Sequence, residues 1–178
     1  MRIFTLNIRT LSSALLTGLL LPFAAACGGS GAYEQSVYRD RLVTFAVDPP
    51  GDEFERIHVE SESGLAWAND EAAVLQAHAR CDRSLDIPLA ALKAHLLIGF
   101  TEREEIEERL VPMDSREALE THLRAKIDGV TRELMLRVLK KDGCVYDLAL
   151  IAPPGESFER ARGGYERLVE SFTTEVPR

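Results

Sequence analysis

The chain is poor in cysteine and tryptophan, carries no excess of positive charge, and has one long apolar run. Three cysteines in 178 residues exclude a small scaffold held together by a dense disulfide framework. Lys and Arg total 21 against 29 Asp and Glu, a formal charge of −8. Without a cationic surplus the chain is not built for the nucleic-acid backbone or for a polybasic patch on an anionic membrane. After the first 26 residues no apolar stretch approaches the roughly 20 residues that a transmembrane helix needs. There is no internal repeat and no low-complexity block. Several reactive signatures are missing too: Cys-x-x-Cys, His-Glu-x-x-His, the Gly-x-Ser-x-Gly elbow and a glycine-rich phosphate loop. Their absence removes the sequence basis for zinc, serine-nucleophile or nucleotide chemistry.

What is present begins at the N-terminus. Arg2 and Arg9 precede an apolar segment from Leu11 to Phe23, which closes on Ala24-Ala25-Ala26-Cys27 and continues as Gly-Gly-Ser-Gly. A basic start, a short apolar run and a small-residue junction make a secretory signal peptide over residues 1–26. The junction resembles the lipobox of bacterial lipoproteins, although Ala24 stands where that family most often has Leu. The resemblance implies that Cys27 is acylated; the plainer alternative is an ordinary signal cut near Ala26, leaving a free thiol. Gly28 follows the cysteine, with no Asp to retain the protein in the inner membrane. The expected site is therefore the outer membrane, facing the periplasm. At about 0.8 kcal/mol per buried methylene, several acyl chains anchor stably where one does not. Residues 27–36 read as a short flexible tether, and residues 37–178 as one domain.

The segment removed holds two Arg and no acid. The remaining 152 residues therefore carry 19 basic and 29 acidic side chains, a formal charge of −10, and are numerous enough for a core. With Cys27 committed to lipid, Cys81 and Cys144 remain. An even number in an oxidising compartment suggests a disulfide, the alternative being two buried thiols that never meet. The pair can form if a strand ending at Cys81 neighbours one beginning at Cys144, with Cα atoms within about 7 Å.

The second half of the chain is the more legible. Asp128-Gly129 and Asp142-Gly143 separate three alternating segments, 116–127, 130–141 and 144–152. Asp-Gly between such runs signals a two-residue hairpin. Leu119, Leu123 and Ile127 share one face of the first strand, with Ala125 between them. Leu134, Leu136 and Val138 share a face of the second, while Met135 and Leu139 lie on the other. The third, CVYDLALIA, is apolar throughout and reads as buried on both faces. A helix is expected from Asp86-Ile87-Pro88, capped by Asp86, through Leu89, Leu92, Leu96 and Phe100. Another follows Pro153-Pro154-Gly155, capped by Ser157, with Phe158, Ala161, Tyr165, Leu168, Val169 and Phe172 in one stripe. Gly163-Gly164 would weaken it by about 1 kcal/mol per residue relative to alanine, and a close approach to the sheet would account for them.

In the first half, segments 42–47, 55–60, 65–68 and 72–81 read as strands, with a turn at Asn69-Asp70. Residues 102–109 are ambiguous between an exposed helix and an edge strand, and Ile106, Leu110 and Val111-Pro112 favour the strand. The expected class is α+β, a mostly antiparallel central sheet flanked by helices. The opening segment Tyr38–Pro50 and the runs Arg116-Glu117-Ala118-Leu119, Ile127-Asp128-Gly129 and Lys141 to Asp147 together resemble the PsbP-like superfamily, as does the closing Tyr165–Phe172 helix. That superfamily includes Mog-type Ran-binding proteins and many bacterial lipoproteins, and the likeness is nearest to lipoproteins of myxobacteria-like bacteria. It implies a PsbP-like α/β/α sandwich acting as a binding or assembly factor, with no shared active site to carry over.

Candidate chemistry is thin. His58, His78, His95 and His122 are dispersed. His78 and Cys81 fall on opposite faces of their strand, and His95 and His122 read as solvent-facing, so no metal site or cofactor is expected. Ser61 and Ser63 sit in a polar loop. Glu102, Glu104, Glu105, Glu107 and Glu108 could supply paired carboxylates for glycoside hydrolysis, but the interleaved Arg103 and Arg109 make them a solvated charged face. Trp67 reads as core. The sequence thus favours a non-catalytic lipoprotein of the cell envelope, held to the membrane by its lipid and binding a protein partner. The alternative is a small-ligand carrier or hydrolase whose residues converge only in three dimensions, marked by a pocket with convergent polar groups.

Overall fold

In the computed structural model residues 31–59 and 64–176 are described; the signal segment and Cys27 lie outside them. Strands β1 (Ala32–Glu34), β2 (Val37–Arg39) and β3 (Thr44–Ala46) form a small sheet in that order. There follow β4 (Glu55–Ile57), β5 (Gly64–Ala68), β6 (Val74–Arg80), a 3₁₀ turn (Arg83–Leu85) and helix α1 (Leu89–Leu96). Strands β7 (Thr101–Met113), β8 (Arg116–Ile127), β9 (Val130–Lys141) and β10 (Cys144–Ala152) and helix α2 (Glu156–Ser171) complete the chain. The main sheet is antiparallel throughout, in the order β4-β5-β6-β10-β9-β8-β7.

The meander is built as its turns demand. Ile127 pairs with Val130 and Lys141 with Cys144, so each Asp-Gly is a two-residue loop. Both residues of each have positive φ, 50° and 77° at Asp128-Gly129, and 53° and 79° at Asp142-Gly143. This is the twist-matched hairpin geometry that Asp-Gly favours. Asp114-Ser115 makes the same turn between β7 and β8 with no glycine, at φ 47° and 64°. Residues 102–109 are the edge strand β7, and β10 is central and almost wholly buried.

Each face of the sheet takes one helix. The α2 stripe of Phe158, Ala161, Tyr165, Leu168, Val169 and Phe172 joins Leu75, Met135, Leu139, Leu148 and Leu150 in the main core, which the small sheet extends with Tyr38, Phe45 and Val47. On the other face Leu92 meets Val138 and Val145, and Leu97 joins the group of Leu123, Leu134 and Leu136. The paired glycines divide. A Cβ on Gly164 would stand 2.9 Å from Leu75 Cδ1 and 3.0 Å from the Phe54 ring, whereas Gly163 faces open space. Close approach explains only the first.

Several expectations are corrected. Strand β1 lies inside residues 27–36, read as tether, because Tyr33 has somewhere to go. Its ring meets Trp67 edge-on at 5.9 Å, and its hydroxyl donates to the Val47 carbonyl at 2.8 Å. Strands β3, β4 and β6 are shorter than the segments 42–47, 55–60 and 72–81 suggested, while β5 begins one residue before 65; a turn claims the start of the last, where Asn69 Oδ1 accepts from the Glu71 and Ala73 amides. Neither expected cap caps. Pro88 and Gly155 occupy the positions before the two helices. Asp86 instead accepts from Lys140 Nζ at 2.7 Å, and Ser157 Oγ donates to the Glu71 carbonyl at 2.9 Å.

Candidate functional site

The disulfide is present. Cys81 and Cys144 sit at the adjoining ends of β6 and β10 with Cα atoms 4.1 Å apart, closing a separation of 63 residues. A surface cavity of about 510 Å³ opens beside it, lined by Asp82, Asp86, Arg116 and Lys140 among others. Its lysine charges are already used: Lys140 pairs with Asp86 and Lys141 with Asp114.

The histidines do not converge. His58 and His95 are exposed. His122 is not solvent-facing as expected, because its ring stacks on Phe158 of α2 at 5.1 Å, 3° from parallel, and its Nε2 lies 2.8 Å from Glu133 Oε1. His78 lies 4.0 Å from Asp147 Oδ2, which accepts from Arg80 Nη2 at 2.7 Å. The Asp147 carboxylate is buried, and its Oδ1 has no partner among the described residues. Among those residues no group of three or more His, Cys, Asp or Glu is placed to hold a metal ion. The acidic run is a charged face: Lys93 pairs with Glu105 and Glu108, Arg109 with Glu107, and Lys126 with Glu102. Trp67 is core.

The most distinctive chemistry is a row of charge beneath α2 to which the sequence reading gave no role. Arg109, Glu120 and Arg137 stand side by side across β7, β8 and β9, because Arg109 pairs with Glu120 and Glu120 with Arg137 in the sheet register. Arg109 donates from Nε and Nη2 to Glu120 Oε1 at 3.1 and 2.7 Å, and Arg137 Nη2 donates to Oε2. Glu120 is only 4% exposed. A signal for this burial existed: Met135 and Leu139 make the second face of β9 apolar too, so a cover was required there, and charges on that face would be covered with them.

Helix α2 closes the row into a cleft of about 260 Å³. Met135 and Val169 supply apolar wall, Arg162, Glu166 and Glu170 a charged side, and Tyr165 reaches in from the helix. Tyr165 is 2% exposed, and neither its hydroxyl nor Arg137 Nε has a hydrogen-bond partner among the described residues. Burial alone would raise the Glu120 carboxyl, but hydrogen bonds from Arg137 and Arg109 outweigh it and hold the group below its ordinary value. The Tyr165 phenol goes the other way, pushed far up by burial against the pull of nearby Arg137. Glu120 is thus fixed as an anion and Tyr165 as a neutral hydroxyl. The cleft is equipped to hold a polar group.

No protein-family model matches the chain, and no curated protein matches it in sequence. Solved structures do match in fold. The PsbP protein CyanoP of Synechocystis sp. PCC 6803 superposes with a TM-score of 0.51 at 12% identity, over 84% of this chain and 97% of that one. PA94 of Pseudomonas aeruginosa, a protein of unknown function described as a putative regulator, gives 0.50 at 13% identity over 80% and 96%. LpqN of Mycobacterium tuberculosis, involved in cell envelope biogenesis, gives 0.48 at 15% identity over 81% and 88%; at that score the likeness carries no weight. The class defined is an α+β, PsbP-like fold. At these identities the likeness concerns architecture alone.

Proposed function

We propose that this is a lipoprotein of the cell envelope, anchored through Cys27 at the outer membrane, whose periplasm-facing domain binds a protein partner without catalysing a reaction. The observation that carries the non-catalytic reading is the state of the ionisable groups under α2. Glu120, the buried acid nearest a cleft, is held by two guanidinium groups, and the tyrosine beside it is kept neutral. Charges fixed in this way suit recognition of a polar group. Support for a protein partner comes from β7, a 13-residue edge strand on which Ile106 and Leu110 are exposed. An open edge offers a partner both backbone hydrogen bonds and apolar contact.

Two measurements test the reading. The precursor and its Cys27→Ser variant are compared by detergent phase partitioning; the wild type is expected in the detergent phase and the variant in the aqueous phase. Equal aqueous partition defeats the anchor. A photo-crosslinking residue at Ile106 of the anchored protein is then expected to give one discrete protein adduct in native membranes, lost in the Leu110→Glu background. An adduct that forms only from positions on α2 would move the partner off the β7 edge.

A further inference from the structure

We propose that the cleft between α2 and β7–β9 is a binding site for a small zwitterion of the α-amino-acid class with an apolar side chain. The inference does not depend on the partner bound at the β7 edge, since it uses the face of the sheet that α2 covers. It begins with what the cleft floor lacks. Two donors there are without acceptors among the described residues, the Arg137 Nε–H and the Tyr165 O–H, and Tyr165 is 98% buried. Buried polar groups are as a rule satisfied, and an unmade bond at such a site costs on the order of 1–3 kcal/mol. One carboxylate would accept from both.

The ion pairs leave room for this. On the floor, Arg109 and Arg137 share the Glu120 carboxylate, and Arg109 is balanced again by the exposed Glu107 at 3.1 Å, so the second guanidinium, Arg137, has only its share of Glu120. On the rim Arg162 is matched by Glu166 and Glu159, while Glu170 has no ion-pair partner among the described residues. The floor therefore offers two buried donors without an acceptor, and the rim an exposed carboxylate, Glu170, without an ion-pair partner among the described residues. A molecule with its carboxylate inward and its ammonium outward completes each. Between them Met135 and Val169 form the apolar wall, against which an aliphatic side chain would lie. The volume of about 260 Å³ falls below the range of about 300–1,000 Å³ of drug-sized sites, which suits a ligand of this size and excludes large ones.

The test is isothermal titration calorimetry on the detergent-solubilised full-length protein, with L-leucine as probe. L-Leucinamide lacks the carboxylate, N-acetyl-L-leucine lacks the ammonium, and inorganic phosphate offers charge without shape. Leucine is expected to bind saturably, and each blocked derivative at least tenfold more weakly. Tyr165→Phe, which removes one oxygen and keeps the ring, is expected to weaken leucine about tenfold while leaving the melting temperature within a few degrees. Glu170→Gln is expected to abolish the preference for leucine over N-acetyl-leucine. No heat with leucine up to its solubility limit overturns the proposal. So does equal binding of leucine and leucinamide, tighter binding of phosphate, or undiminished leucine binding by Tyr165→Phe.

Discussion

Lys141 and Asp114 join the last residue of β9 to the turn that opens β8. The ammonium donates to the Asp114 carboxylate at 3.0 Å and to its carbonyl at 2.9 Å. The same carboxylate accepts from the Thr173 hydroxyl at 2.9 Å, the Thr174 hydroxyl at 2.7 Å and the Thr174 amide at 3.0 Å. A turn with two non-glycine residues at positive φ is costly by itself. Here one side chain ties that turn to β9 and to the segment after α2, and the tie offsets the cost.

Asp114→Ala should therefore be among the most destabilising single changes. It leaves the Lys141 ammonium, 8% exposed, beside only the exposed Glu175, 3.5 Å away, and frees the Thr173–Thr174 segment. Breaking a buried pair in this way costs about 3–5 kcal/mol. Urea unfolding should show a lower midpoint with an unchanged slope. Asp114→Asn, which tolerates the left-handed backbone and keeps several hydrogen bonds, should lose visibly less.

Acid should unfold the protein through two carboxylates. Asp114 and Glu120 both have folded-state pKa values below the ordinary ones; in each, burial raises the value and hydrogen bonds from neighbouring cations and hydroxyls outweigh it. A depressed folded pKa means that the unfolded chain binds more protons. The contribution to stability is thus complete above the unfolded values of about 4 and is lost as pH falls below them through the folded values. Unfolding free energy from urea curves should be flat from pH 7 to 5 and then fall steeply. Glu120→Gln should flatten that fall, and an unchanged slope would remove Glu120 from the account.

Reduction should cost stability without dismantling the fold. The Cys81–Cys144 bond closes a separation of 63 residues, which on the chain-entropy model is worth roughly 4 kcal/mol. A Cys81→Ala/Cys144→Ala double variant should melt several degrees or more below the oxidised wild type and coincide with the wild type in strong reductant. If oxidised and reduced melts coincide instead, the bond does not form in solution.

The legible part of the fold was the part written in local chemistry. Asp128-Gly129 and Asp142-Gly143 announce their hairpins because few other dipeptides accept two positive φ values, and the α2 stripe announces its helix because six apolar residues share a face. Asp114-Ser115 was not legible as the same turn, since its stability comes from Lys141 and Thr174, 27 and 60 residues away. Strand β1 was missed for a similar reason, as Trp67, which holds Tyr33, lies far along the chain. The cleft was hidden by alternation itself. Glu120 and His122 occupy polar positions of β8, where one-sided strands meet water, and the cover supplied by α2 buries the first and half-buries the second.

The glycine pair in α2 offers the sharpest test of how close that cover sits. Gly163 and Gly164 are adjacent and both helical, so their intrinsic cost relative to alanine is alike, about 1 kcal/mol. Their surroundings differ. A methyl at 163 meets no atom within 4 Å, while one at 164 would press on Leu75 Cδ1 at 2.9 Å, Phe54 at 3.0 Å and Pro50 at 3.2 Å. Gly163→Ala should therefore stabilise by about 0.5–1 kcal/mol. Gly164→Ala should destabilise by about 1–3 kcal/mol, because overpacking against core side chains outweighs the same propensity gain. Paired thermal melts decide the matter. Two variants that shift together, in either direction, would mean that α2 does not lie on Leu75 and Phe54 at this distance.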